Sequence, residues 1–143
     1  MDLESQSWTW TREQTFPSDM GTAHCLIGEV MERVRAEQWG EKDLFALELV
    51  LEEALTNAVK HGNDSDPSKV VQFDCRLSKS KVYVRVGDEG AGFDPRALPD
   101  PRDHDNQLAV SGRGVLLMTH FATQVAWNER GNVVEFVKDR SDG

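Results

Sequence analysis

The chain has 143 residues, of which 38% are hydrophobic and 29% are charged, and its formal net charge is −9 at pH 7. A chain of this size and composition buries a sizeable core without disulfide or metal staples, so we expect one domain over residues 1–143. The negative charge repels a phosphate backbone and no basic patch offsets it, which argues against direct binding of nucleic acid. No apolar run reaches the roughly eighteen residues that cross a bilayer, so no membrane contact is expected.

Residues 1–10 are acidic and polar, where a secretory signal would have a basic segment followed by an apolar one. We therefore expect a cytoplasmic protein. Cys25 and Cys75 have no metal-ligand spacing and form no disulfide framework, so both are expected to be buried apolar residues.

The N-terminal half reads as one strand and two helices. Trp8 and Trp10 alternate with threonines as in a short strand, and a helix is predicted over residues 18–38 with Ser18 as its N-cap. A second helix is predicted over residues 43–61, with Asp43 as its cap and Gly62 and Asn63 as its end.

The C-terminal half reads as four strands and one helix around a long turn-rich stretch. Strands are predicted over residues 71–77, 82–86, 125–127 and 133–137, and a short helix over residues 114–121. The stretch from Gly87 to Gly114 is too long for a plain connection and is predicted to act as a lid over a ligand. This order of elements predicts a mostly antiparallel sheet with helices on one face.

The second helix carries the most informative pair of polar residues. Glu53 and Asn57 are four residues apart and share a face that also carries apolar residues, so the pair is expected to be partly covered. A partly covered carboxylate is a candidate general base with a tuned pKa, although a plain helix-surface glutamate is the alternative. The neutral oxygen of Asn57 suits Mg²⁺, which takes few protein ligands beside substrate phosphates.

Two basic residues follow on the same helix. Lys60 is expected almost over Glu53, two turns on, where it reaches a phosphate or forms a surface ion pair. His61 lies at the helix C-terminus, where the helix dipole already accounts for it.

Asp88 continues the alternation of the preceding strand, which places a carboxylate at the inward end of an apolar surface. A purine amino group entering an apolar pocket would supply the donor that such a carboxylate needs. The alternative is an aspartate that turns the chain together with Gly87 and Gly90.

Two glycine clusters flank the turn-rich stretch. Gly90 and Gly92 permit close approach of the backbone to a ligand. Gly112 and Gly114 precede a helix, whose free N–H groups and dipole bind anions. Neither cluster has the spacing of a P-loop, and each is weak evidence by itself. The order of the motifs, with both clusters following the helix carboxylate and amide, is much more specific evidence for a nucleotide site.

Together these motifs resemble the superfamily of gyrase, Hsp90, histidine kinase and MutL ATPases, called GHKL, and within it the bacterial anti-sigma-factor serine/threonine-protein kinases. Residues 52–63 are similar to the N box of that branch, residues 88–93 to its first glycine box and residues 111–115 to its second. The resemblance covers the chain from about Ser18 to its end. It implies an α+β fold, the two-layer α/β sandwich known as the Bergerat fold, with an ATP lid.

The resemblance also implies roles for single residues. Glu53 would be the base, Asn57 the ligand of Mg²⁺ and Asp88 the reader of adenine. The remaining residues expected to contact ATP are Lys60, Gly90, Gly92, Phe93, Gly112, Arg113, Gly114 and Val115.

Members of this branch commonly form dimers through sheet edges and first helices, bind a sigma factor and phosphorylate a serine of a small STAS-type antagonist. The resemblance therefore implies a homodimer with these two kinds of protein partner. One departure is visible, because some members carry an arginine early in the first helix for partner contact. This chain has Ala23, His24, Cys25 and Leu26 there, and its arginines at 33 and 35 lie later.

Two other functions remain open at the level of the sequence. The first is an ATP-gated protein-binding module without kinase activity. The second is a stand-alone catalytic domain of the histidine-kinase type. This second function is the less favoured, because a dimerisation helix with an acceptor histidine does not fit within the residues before Ser18.

Overall fold

The structure is a computed structural model that describes residues 1, 3–92 and 112–141. In chain order its elements are β1 (Trp10–Pro17), α1 (Met20–Ala36), α2 (Glu41–Thr56), a π-helical segment (Asn57–Gly62), β2 (Val70–Leu77), β3 (Lys81–Gly87), α3 (Gly112–Phe121), β4 (Gln124–Trp127) and β5 (Val133–Asp139). The strands form one antiparallel sheet in the order β1-β2-β3-β5-β4.

The core lies between one face of this sheet and the helices. Strand pairing aligns the inward residues in rows, as with Cys75 opposite Val84 and Val84 opposite Phe136. The helices contribute stripes at helical spacing, because α1 buries Leu26, Val30 and Val34. The opposite face of the sheet carries polar residues such as Gln72, Asp74 and Arg85, together with the buried pair Tyr83 and Val137. The predicted two-layer α+β sandwich with helices on one face is therefore confirmed.

The sequence misplaced the starts of both long helices. The N-cap of α1 is Asp19, whose carboxylate accepts hydrogen bonds from the backbone N–H groups of Gly21 and Thr22. Ser18 was the predicted cap, but its hydroxyl donates to the carbonyl oxygen of Lys69 at 2.9 Å. A serine committed to this distant partner is unavailable to cap the helix.

Asp43 is likewise not a cap, since α2 begins at Glu41 after Gly40. The Asp43 side chain is buried and accepts hydrogen bonds from the backbone N–H and the hydroxyl of Ser141, with Lys138 Nζ 3.4 Å away. Burial opposes ionisation of this carboxyl, but these donors and the lysine charge outweigh it and hold its pKa below the usual value. Asp43 thus fastens the end of the described chain to the start of α2.

Two smaller expectations also fail. Cys25 is exposed, because it lies on the side of α1 opposite the buried stripe, whereas Cys75 is buried as expected. The first strand is longer than predicted and begins at Trp10, not at Trp8. Among the described residues, no helix is long and apolar enough to cross a membrane.

Regular α-helical geometry ends at Thr56, earlier than predicted. Residues 57–62 form a π-helix, and the backbone N–H of Asn63 bonds to the carbonyl oxygen of Ala58, five residues back. The expectation that Lys60 lies over Glu53 assumed continuous α-helical spacing, which does not apply here. Lys60 is exposed.

Candidate functional site

The C-terminal turn of α2 and the first turn of α3 meet at Glu53. A Cβ atom built on Gly114 would lie 2.6 Å from Glu53 Oε2 and 3.5 Å from Asn57 Nδ2. Only a residue without a side chain allows the backbone of α3 to lie this close to the carboxylate. The structure therefore brings together Glu53, Asn57 and Gly114, which are remote in sequence.

Asn57 provides an acceptor that no described residue satisfies. Its Oδ1 atom is buried and has no hydrogen-bond partner within residues 1, 3–92 and 112–141. A buried polar atom without a partner is costly, and such atoms are frequent where a ligand or ion completes the set. A neutral amide oxygen beside the Glu53 carboxylate fits the hard oxygen ligands that Mg²⁺ prefers.

Asp88 lies at the end of β3, on the inward side as the alternation predicted, and is half-buried. Its Oδ1 atom accepts a hydrogen bond from the backbone N–H of Gly90 at 2.8 Å. Burial raises the pKa of the Asp88 carboxyl, and the Gly90 N–H with the charges of Arg130 and Lys69 oppose this only in part. Such a carboxylate gains from one more donor, as the purine hypothesis requires.

Glycines shape the surroundings of Asp88. A Cβ atom on Gly62 would lie 2.6 Å from Asp88 Oδ1, and one on Gly90 would collide with the carbonyl group of Gly62. Gly92 has a φ of +82° and packs on the backbone of Arg130. The glycines thus bring the end of the π-helical segment into direct contact with the loop that follows β3.

A pocket of about 230 Å³ opens beside this contact. Its walls include His61, Asp64, Lys69, Gly92 and Gly131. Burial lowers the pKa of His61, and the nearby charge of Lys60 lowers it further, while Asp64 acts in the opposite sense. His61 is therefore mostly neutral at pH 7, whereas Lys69 supplies a cation at the edge of the pocket.

The second glycine cluster is described in part. Gly112 begins α3, and Val115 is buried one residue after Gly114. Phe93 and most of the predicted lid lie outside the described residues, as does the side chain of Arg113. The contacts expected of these residues remain predictions.

One residue that sequence reasoning treated only as a helix end is central to the site. Asn63 is fully buried, and its side chain bonds to groups on three separate segments, at Ser18, Val70 and Glu89. Nothing local in the sequence points to this role, because the partners are distant in the chain.

Comparison with protein families matches residues 16–138 to the histidine kinase-like ATPase domain. The serine/threonine-protein kinase BtrW of Bordetella bronchiseptica is 28% identical over 96 residues, which cover 66% of this chain and 68% of that protein. An anti-sigma F factor of Anoxybacillus flavithermus is 30% identical over 101 residues, 67% of this chain and 69% of that protein. A sensor-like histidine kinase of Staphylococcus epidermidis is 39% identical over 54 residues, which are 38% of this chain but 10% of that protein.

Proposed function

Because the chain belongs to the family of histidine kinase-like ATPase domains, we propose that it is a cytoplasmic, ATP-dependent protein-serine/threonine kinase that acts as an anti-sigma factor. In this proposal residues 1–143 form one kinase domain that phosphorylates a serine of a STAS-type antagonist. Phosphorylation then decides which partner the kinase holds. The similarity to proteins named as a serine/threonine kinase and as anti-sigma F factors supports this assignment.

The observation that carries the proposal is the meeting of Glu53, Asn57 and Gly114. An acidic group, a buried amide oxygen to which no described residue donates, and the first turn of a helix converge at one point. Helix N-termini bind phosphate groups, so the γ-phosphate of ATP would lie near the first turn of α3, within reach of the carboxylate.

The proposed reaction transfers the γ-phosphoryl group of ATP to a serine hydroxyl. The serine oxygen forms a bond to the γ-phosphorus while the bond from that phosphorus to the bridging oxygen of ADP breaks. Glu53 accepts the serine proton and later releases it to solvent. Mg²⁺, held by Asn57 and by the phosphates, would neutralise charge on the transferring group. The products are ADP and phosphoserine.

At the other end of the nucleotide, Asp88 would accept a hydrogen bond from the adenine amino group. Burial raises the pKa of Asp88, and a hydrogen bond from the adenine amino group would oppose this rise by stabilising the ionised carboxylate. The residues proposed to contact the remainder of ATP are Lys60, Gly90, Gly92, Phe93, Gly112, Arg113, Gly114 and Val115. The exposed position of Lys60 leaves it free to approach a phosphate from the solvent side.

We also propose a homodimer that uses β1 and α1. Strand β1 lies at the edge of the sheet, so one side of its backbone is unpaired. Beside it lies a groove of about 410 Å³ whose walls include Trp10, Arg12, Glu29 and Arg33. A two-fold arrangement would satisfy this edge, and sigma-factor binding is proposed by similarity to the anti-sigma F factors.

The test is intact-mass analysis of a STAS-type protein after incubation with this chain and Mg-ATP. We expect a gain of one phosphate with the wild-type chain and none with Glu53→Gln, which keeps the shape of the side chain but cannot accept a proton. The matched control is Glu52→Gln, because Glu52 is adjacent on the same helix and its carboxylate pairs with His24 at 3.1 Å. The control should phosphorylate normally.

Full activity of Glu53→Gln would remove Glu53 as the base. Absence of phosphate transfer by a wild-type chain that binds ATP would favour the ATP-gated binding module instead. That alternative predicts partner capture that depends on nucleotide and leaves the partner unmodified.

A further inference from the structure

The side chain of Asn63 uses every hydrogen-bonding group that it has. Its Oδ1 atom accepts from the backbone N–H of Glu89 at 2.8 Å. Its Nδ2 atom donates to the carbonyl oxygen of Val70 and to the hydroxyl oxygen of Ser18, both at 2.9 Å. The side-chain amide therefore joins three segments of the chain at one buried point.

The chemistry of these partners fixes the orientation of the amide. The Glu89 N–H can only donate and the Val70 carbonyl can only accept, so the oxygen and nitrogen of Asn63 cannot be exchanged. The Ser18 hydroxyl donates to the carbonyl of Lys69 and is left to accept from Asn63. An aspartate has no N–H to donate, and a leucine has neither group.

The position of Glu89 makes this network relevant to the nucleotide site. Glu89 stands between Asp88 and Gly90, which are joined to each other by the hydrogen bond from the Gly90 N–H to the Asp88 carboxylate. The Glu89 side chain also accepts from the backbone N–H of Val70 at 3.0 Å. The turn that carries the carboxylate is thus tied twice to the start of β2.

The other side of the same turn is held by Asn132, the residue directly before β5. The Asp88 N–H donates to the carbonyl oxygen of Asn132 at 2.9 Å, and the Asn132 side chain donates to the Asp88 carbonyl at 3.2 Å. Asn132 therefore holds the backbone of Asp88, while Asn63 holds that of Glu89. The carboxylate between them is restricted to the position against Gly62.

We propose that Asn63 is a positioning residue for nucleotide recognition, which fixes the Asp88 carboxylate where it accepts the amino group of the purine. This inference rests on the proposed function and deepens it at the adenine end. It assigns to Asn63 an effect on base selectivity and not only on folding.

The experiment compares two nucleotides by calorimetry in the presence of Mg²⁺. One is ATP, and the other is purine riboside triphosphate, whose base lacks the exocyclic amino group. The wild-type chain should prefer ATP, and the readout is the ratio of the two dissociation constants. A purely structural role for Asn63 would lower the melting temperature of a variant without changing this ratio.

We expect Asn63→Ala to lower the preference for ATP by about tenfold, the size of effect typical of losing one oriented buried hydrogen bond. Asp88→Asn should lower it at least as far. The matched control is Asp43→Asn, because Asp43 is equally buried and hydrogen-bonded but fastens Ser141, away from the nucleotide site. The control should unfold more easily and keep the wild-type ratio.

An unchanged ratio in Asn63→Ala would overturn the inference. If that variant does not fold, Ser18→Ala decides, since it removes one anchor of the amide and should lower the ratio by about threefold. An unchanged ratio in Ser18→Ala would then overturn it. A wild-type chain that binds ATP without preferring it would remove Asp88 as the reader, and one that binds no ATP would refute the proposed function itself.

Discussion

Replacing Gly62 by alanine tests the adenine end of the site without any knowledge of the protein partner. The added Cβ atom would lie 2.6 Å from Asp88 Oδ1 and closer still to the rest of that carboxylate. Ordinary van der Waals contact begins at 3.4 Å, so the carboxylate must move by about 0.8 Å or more. This movement breaks the 2.8 Å hydrogen bond from Gly90 and misplaces the acceptor of the purine.

The backbone of Gly62 is not in the left-handed region, so alanine adds no conformational strain of its own. Loss of a hydrogen bond to a charged group costs about 1.5–3 kcal/mol, which corresponds to roughly 10- to 150-fold weaker binding of ATP. Isothermal titration calorimetry measures this change, and circular dichroism checks the fold. Gly28→Ala is the control, because a Cβ atom on Gly28 meets nothing within 4 Å. Wild-type affinity for ATP in Gly62→Ala would refute the placement of Asp88 in the nucleotide site.

Two further predictions concern the phosphoryl end of the site and the fold. Gly114→Ala places a Cβ atom 2.6 Å from Glu53 Oε2. This change should lower the rate of phosphoryl transfer, measured at saturating ATP, about 100-fold. A rate within twofold of wild type would contradict the assigned geometry. Asp43→Asn should lower the free energy of unfolding at pH 7, measured in urea. Because the folded pKa of Asp43 is depressed, this difference from wild type should shrink as the pH falls below about 4, and a constant difference down to pH 3 would contradict the assignment.

Local patterns predicted the elements well but misplaced the ends of helices. Ser18 and Asp19 are adjacent and both are good N-caps, so the sequence alone does not choose between them. The choice falls to Asp19 because the Ser18 hydroxyl bonds to Lys69, which is 51 residues away. Asp43 was wrongly predicted as a cap for the same reason, since its partner Ser141 lies 98 residues along the chain. Polar residues near a helix start are predictable as caps only when no distant partner competes for them.

In the candidate site, too, the features that depend on local sequence patterns were predicted and those that depend on distant contacts were not. The spacing of Glu53 and Asn57 and the alternation that leads to Asp88 are local patterns, and all three residues are partly buried in the structure as these patterns predicted. The hydrogen bonds of Asn63 could not be predicted, because they join three segments that only the folded chain brings together. The π-helical segment was not predicted either, since the composition of residues 57–62 does not distinguish a π-helix from an α-helix.

The π-helical segment is explained by the contacts at its end. A continuous α-helix from Glu53 onward would turn by 100° per residue and carry Gly62 and Asn63 to a different side of the helix. The wider turn instead places Gly62 against Asp88 and lets Asn63 reach the turn at Glu89. A π-helical turn is rare, and such turns occur frequently at functional sites. The buried hydrogen bonds of Asn63 stabilise this one, so the shape of residues 57–63 is set by the two ends of the site that they connect.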